Sequence, residues 1–188
     1  AMADDIKRSK GAIFLHPSND KDVILGQGTA ALELLRAQPN LDFIFCPVGG
    51  GGLIAGSALA AKNFGNNCTV MGGQPFEADD AYRSLISGKI ESNDTVNTIA
   101  DGLKTTLGDN NFPIILEYVS EIIRVTEDEI ITAMRLVWER MKIIIEPSSA
   151  VTVAALLRDT SENPERYKGK QVGIIISGGN VDLDKLPF

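Results

Sequence analysis

Four consecutive glycines stand between two apolar runs in Phe45–Gly56, "FCPVGGGGLIAG". Glycine gives up more chain entropy on ordering than any other residue, so a tetraglycine turn is costly unless something must approach the backbone closely. A strand before the turn and a helix after it offer bare backbone N–H groups at a helix N-terminus. That combination favours an anion, normally phosphate. A second cluster, "ISGGNVD" (Ile176–Asp182), follows the apolar run "QVGIII". Ligands of parallel α/β sheets sit outside the carboxyl ends of strands, so two such loops describe one site between them.

Several phosphates compete for that loop. A P-loop requires G-x-x-x-x-G-K-[ST], and no lysine follows Gly52 or Gly56. Gly50-x-Gly52-x-x-Ala55 partly matches a dinucleotide fingerprint, but Gln74 stands where an acidic residue is wanted about 20 positions on, with Glu77 a little later. A dinucleotide-binding oxidoreductase is therefore the weaker reading, and a glycine-rich turn without any ligand is the bland one. His16 is the single histidine, beside Pro17, and no G-x-S-x-G elbow accompanies it. Ser-His-Asp hydrolysis and a histidine-rich zinc site are thereby disfavoured, and a structural role is expected for His16. Cys46 and Cys68 lie in apolar strand-like segments and are expected as reduced, buried thiols of a cytosolic protein.

The elements that must carry these residues alternate in type. Residues 22–37 place Leu25, Thr29, Leu32 and Leu35 at helical spacing. "LDFIFCPV" (41–48) reads as a buried strand, "LIAGSALAAKNF" (53–64) as a helix packed closely on a sheet, and "CTVMGG" (68–73) as the next strand. Residues 121–141 hold a strand and then a long helix, opened by a capping box at Thr126 and Glu129. Ile130, Met134, Val137 and Met141 share one face of that helix. Pro147 suits the first turn of another helix, and "QVGIIIS" (171–177) is the most apolar strand of all. This alternation predicts an α/β fold with a mostly parallel, covered sheet.

Composition is that of an ordinary globular domain. The chain has 188 residues, 44% apolar and 23% charged, with a formal charge of −7. That charge argues against nucleic acid and acidic membrane surfaces as partners, and no apolar run reaches the roughly 18 residues of a membrane span. "AMADDIKRSK" lacks the apolar core of a secretion signal, so a cytoplasmic location is expected. Ala1 before Met2 reads as a cloning scar.

"PVGGGGLIAG", "TIADGL" (98–103), "VTEDEI", "IEPSSA" (145–150) and "SGGNVDL" (177–183) occur together in this order and spacing. In these motifs the chain resembles the fold-type II pyridoxal-phosphate (PLP) enzymes, and within them the serine racemase and serine/threonine dehydratase family, with the hydroxyaspartate dehydratases close by. The likeness runs from about Phe14 to Leu183. It implies the three-layer, open, mostly parallel α/β sheet of the tryptophan synthase β-like large domain, incomplete at its N-terminus. Residues 14–188 would form the C-terminal part of that cofactor domain, and 1–13 would be the scar and a remnant of the small-domain junction.

The resemblance also implies roles. Gly49, Gly50, Gly51 and Gly52 would hold the cofactor phosphate, with Leu53 opening the helix; Gly102 would lie against the cofactor ring, and Ser177 would bond its pyridine nitrogen. A neutral hydroxyl there suits β-elimination or reprotonation at the substrate α-carbon, since it does not hold the nitrogen protonated as a carboxylate would. The racemase-like branch binds a divalent cation, Mg or Ca, through "EPxxADD". Here the segment is "QPFEADD", so the corresponding ligands are Gln74, Ala78 and Asp80, with an amide in place of a carboxylate. Lys142, Glu146 and Asn180 match positions that contact an activating nucleotide in the racemase branch, a weaker reading here because buried ion pairing near a subunit contact explains them too.

The family's Schiff-base lysine lies in an "S-F-K-x-R-G"-like segment before the glycine loop, and no such segment occurs in residues 1–48. Lys104 is the lysine nearest a cofactor contact and is expected to be solvated. The expected function is that of a parent PLP-dependent ammonia-lyase or racemase acting on serine or threonine, a homodimer when whole, with this chain inactive alone. A non-catalytic phosphate-binding or subunit-partner domain is the competing class.

Overall fold

In the computed structural model, which describes residues 2–188, the chain builds its sheet outward from its first strand, one of two interior ones. The scar expected at Ala1 lies outside the described residues. That strand, β1 (Phe43–Pro47), pairs in parallel with β2 (Thr69–Pro75) on one side and β4 (Val172–Ile174) on the other. β3 (Val119–Val125) adds to β2, giving the order β3-β2-β1-β4 among the described residues. The mostly parallel sheet expected from the alternation is parallel at every described pairing.

Side chains of β1 alternate between two cores, as strand geometry requires. Ile44 and Cys46 enter one core, while Phe45 enters the other with Phe43 packed at its margin. The first core is roofed by α2 (Lys21–Gln27), α3 (Thr29–Ala37), α4 (Gly52–Phe64) and α6 (Phe112–Tyr118), with Ala81 of α5 (Asp80–Ser87) at its edge. The second is roofed by α7 (Glu127–Met141) and α8 (Pro147–Glu162). Helices on both faces make three layers. The remaining helix, α1 (Met2–Lys10), exposes its described side chains.

Three expectations need correction. The periodic stretch 22–37 is two helices, not one, broken at Gly28, and its buried face is Ile24, Ala31 and Leu35; Leu25 is exposed. The break lets Gly28 and Gly56 of α4 touch, since a Cβ on Gly28 would lie 2.6 Å from the Gly56 carbonyl oxygen. Met141 is exposed rather than core, because α7 ends there and Lys142 turns left-handed at φ 59°. The apolar run 171–177 gives only three paired residues at a sheet edge, with Ile176 exposed. The capping box at Thr126 and Glu129 and Pro147 in the first turn of α8 form as the sequence indicates. Among the described residues, no helix is long and apolar enough to cross a membrane.

Candidate cofactor site

The strand order sets where a ligand can sit. From β1 the chain proceeds outward through β2 and β3, then returns to place β4 on the other side of β1. Connections therefore diverge above the carboxyl ends of β1 and β4, opening the crevice of a topological switch point. The tetraglycine loop leaves β1 there, and "SGGN" follows β4. A cavity of about 830 Å³ occupies this position. Gly49, Gly50, Gly51, Gly52, Leu53, Gly102 and Ser177 all line it, so seven residues separated by up to 128 positions come together.

Three of the glycines are required by geometry, Gly52 because a Cβ there would lie 2.8 Å from the Ser18 carbonyl oxygen. Gly51 caps α4 in the left-handed region at φ 84°, which side chains rarely adopt. Gly49 lies against the "ADG" turn, where a Cβ would meet the Gly102 carbonyl oxygen at 2.8 Å. The loop is braced from behind by Asn111, whose buried amide donates to the Gly50 carbonyl at 2.7 Å and the Ser18 carbonyl at 2.9 Å. The N-terminus of α4 thus points at the cavity from a fixed support.

His16 holds the strap that runs over this loop. Its Nδ1 accepts from the backbone N–H of Ser18 (3.3 Å) and Asn19 (3.0 Å). Asn19 then accepts from the Asn110 N–H at 2.9 Å and donates to Asp109 at 2.7 Å. His16, expected to be structural, orders this strap through Nδ1 and itself lines the cavity.

Ser148 and Ser149 are site-building residues to which the sequence assigned no role. Both are buried in the first turn of α8. Ser148 Oγ accepts from the Gly102 N–H at 3.1 Å, which fixes the "ADG" turn. Ser149 Oγ lies 3.0 Å from Ser177 Oγ, accepts from the Gly178 N–H at 2.7 Å and donates to the Gly178 carbonyl at 2.7 Å. The available signal was a pair of serines opening an otherwise apolar helix after Pro147.

Glu146 and Asn180 come together: a Glu146 carboxylate oxygen accepts the Asn180 N–H at 3.0 Å. Lys142 stands at the exposed C-cap of α7. Lys104 is exposed on the cavity wall. Gln74, Ala78 and Asp80 lie elsewhere, at the end of β2 and the start of α5, all buried. Burial raises the Asp80 carboxyl above the usual carboxylate range, against a hydrogen bond from Asn93. Cys46 is buried and its thiol is pushed up to about 12; Cys68, expected buried, is only half-buried and is pushed up to about 11. Thiolates being the nucleophilic form, neither cysteine is suited to chemistry.

The chain is similar to known proteins over most of its length. Residues 1–178 match the family described as pyridoxal-phosphate dependent enzyme. The chain is 55% identical over 175 residues to the serine racemase of Dictyostelium discoideum, covering 92% of this chain and 53% of that protein. It is 44% identical over 183 residues to the beta-hydroxyaspartate dehydratase of Paracoccus denitrificans, covering 97% of this chain and 57% of that protein. The structure of maize serine racemase superposes with a TM-score of 0.93 at 41% identity, covering 97% of this chain and 56% of that one. The chain spans about half the length of the curated relatives it matches.

Proposed function

The chain belongs to the pyridoxal-phosphate dependent enzyme family, and from that membership we propose that it is the C-terminal cofactor-binding part of an amino-acid ammonia-lyase or racemase acting on serine or threonine. One observation carries the reading: the tetraglycine loop, Gly102 and Ser177 line a single cavity at the switch point. The residues present fit a phosphorylated, flat, aromatic ligand. Gly49 to Gly52 leave no side chain between the ligand and the backbone N–H groups at the start of α4, where an anion is favoured. Gly102 brings no side chain to the same cavity, and Ser177 brings a neutral hydroxyl.

When bound, PLP supplies an electron sink for charge developing at the substrate α-carbon. Ser177 tunes that sink. Its hydroxyl proton can turn toward Ser149 or toward a ring nitrogen, while Ser149 keeps its own bonds to Gly178. A hydroxyl partner leaves the nitrogen unprotonated, which favours short-lived charge and therefore loss of a β-hydroxyl or prompt reprotonation. Glu146 and Asn180 close the Ser177 loop against the start of α8.

Residues 14–188 are read as the cofactor domain, and the whole enzyme as a cytoplasmic homodimer taking a small amino acid. The two free thiols favour the reducing compartment. Hydroxyaspartate as substrate is the second reading, favoured by the 44% identical dehydratase. No segment of residues 1–48 supplies the family's Schiff-base lysine, so the chain holds the cofactor without turning over substrate. The test is titration with PLP followed by borohydride reduction and mass measurement. Reversible binding, displaced by inorganic phosphate and leaving no covalent adduct, is the expected result. Absence of binding would overturn the cradle, and an adduct on a single lysine would overturn the missing-lysine reading.

A further inference from the structure

The segment expected to hold a divalent cation is wired in a way that leaves a cation little to bind. Gln74 is the penultimate residue of β2 and Asp80 opens α5, and both side chains are fully buried. The Gln74 carbonyl oxygen accepts the backbone N–H of Tyr82 at 3.0 Å, and its amide nitrogen donates to Asp80 Oδ1 at 3.2 Å. The amide orientation is dictated by chemistry, because a backbone N–H can only donate. The oxygen must therefore face Tyr82, and the NH₂ group must face Asp80.

That arrangement removes one ligand and occupies another. The Gln74 oxygen is committed to the helix backbone, while Asp80 Oδ1 already accepts from Gln74 and from Asn93 at 2.9 Å. Asp80 Oδ2 is left as a single buried oxygen without a hydrogen-bond partner among the described residues. Hard cations take six or more oxygens, preferably anionic. No cluster of three or more His, Cys, Asp or Glu suited to a metal ion exists among the described residues. The residues present do not fit the cation.

We infer that the Gln74 carboxamide fills the cation position itself, so that its N–H donor, rather than Mg²⁺ or Ca²⁺, engages Asp80 Oδ1 and ties the end of β2 to α5. A glutamate at this position would set two carboxylates face to face, an arrangement that only a cation or a proton relieves. An amide needs neither. Around it, Ser84 donates to the Asp80 carbonyl at 2.6 Å and accepts the Glu91 N–H at 2.8 Å, and the Arg83 guanidinium holds Asn93 at 2.6 Å. This inference does not depend on what occupies the glycine cradle.

Thermal melting and isothermal titration of the wild-type chain with MgCl₂, CaCl₂ or EDTA test it directly. The expected result is a midpoint unmoved within about 1 °C and no titration heat that Asp80→Asn removes. A rise of several degrees with either cation, lost in Asp80→Asn, would overturn the inference. Gln74→Glu supplies the converse: a midpoint lowered in EDTA and recovered by Ca²⁺. A Gln74→Glu protein that folds and ignores cations would refute the claim that the amide stands in a cation's place. If that variant does not fold in EDTA, it is refolded with and without Ca²⁺; a higher yield with Ca²⁺ supports the inference, and equal yields overturn it.

Discussion

Ser149 is the hinge of the site at the level of single residues. One hydroxyl meets Ser177 Oγ, the Gly178 N–H and the Gly178 carbonyl, all within 3.0 Å. Removing it leaves the Gly178 N–H without its partner, which costs about 1–3 kcal/mol, while the Gly178 carbonyl keeps the Glu146 N–H at 3.1 Å. It also frees the Ser177 rotor. Ser149→Ala is therefore expected to lower the melting midpoint by several degrees and weaken PLP binding by about tenfold, read by fluorescence titration. An unchanged affinity would mean that Ser177 is positioned by its own loop alone. The serine's role could not be read from the chain, whereas the tetraglycine could. Four adjacent glycines are too unusual to be filler, but a serine looks alike in sequence whether it caps its own helix or reaches a loop 28 residues on. Gln74 illustrates the same limit: its presence was legible, but the direction of its amide depended on the Tyr82 N–H that faces it.

At the level of elements, the crossing of α2 and α4 decides how the cradle is backed. Gly28 and Gly56 bring the two helices into backbone contact; a Cβ on Gly56 would lie 2.5 Å from the Gly28 nitrogen. The helical period of residues 22–37 ran unbroken through this point because periodicity records burial and not crossing partners. Only a close approach from a segment nearly 30 residues away explains the break. Gly56→Ala must push α2 off α4, and overpacking of this kind costs about 1–3 kcal/mol. α4 begins at the cradle, so its displacement moves the anion-binding N–H groups as well. The expected outcome is a lower midpoint together with weaker inorganic phosphate binding. Loss of stability with phosphate affinity intact would show that α4 yields at its C-terminal half and leaves the cradle in place.

The whole molecule is divided by function along the strand direction. Ligand-facing residues gather at the carboxyl ends of the strands, while the opposite end is closed by a polar lock around Asp159 near the end of α8. Asp159 accepts from Tyr167, from Arg166 at 2.7 Å and from Asn163 at 2.7 Å. Arg166 also pairs with Glu121 of β3 at 3.0 Å, and the Tyr167 ring packs on Phe43 and Phe45 of β1. One helix end, one turn and two strands therefore meet at a single carboxylate. Burial alone would raise this carboxyl, but the hydrogen bonds from Tyr167, Arg166 and Asn163 outweigh it and hold it below the usual carboxylate range. A group depressed on folding stabilises the protein above its unfolded value, about 3.9, and that stability drains away as pH falls through the lower folded value. Asp159→Asn should therefore cost about 2 kcal/mol near neutral pH, less than a fully buried pair because Arg166 is partly solvated, and lower the midpoint by about 4–8 °C. Once the pH has fallen through that lower folded value the native carboxyl is itself neutralised, so the melting curves of the two proteins should converge in acid. Curves that stay parallel from pH 7 to acid would show that Asp159 contributes through shape and not through charge. Because the lock lies at the end of the sheet away from the cavity, phosphate affinity at neutral pH should be the same in both proteins at temperatures where both are folded.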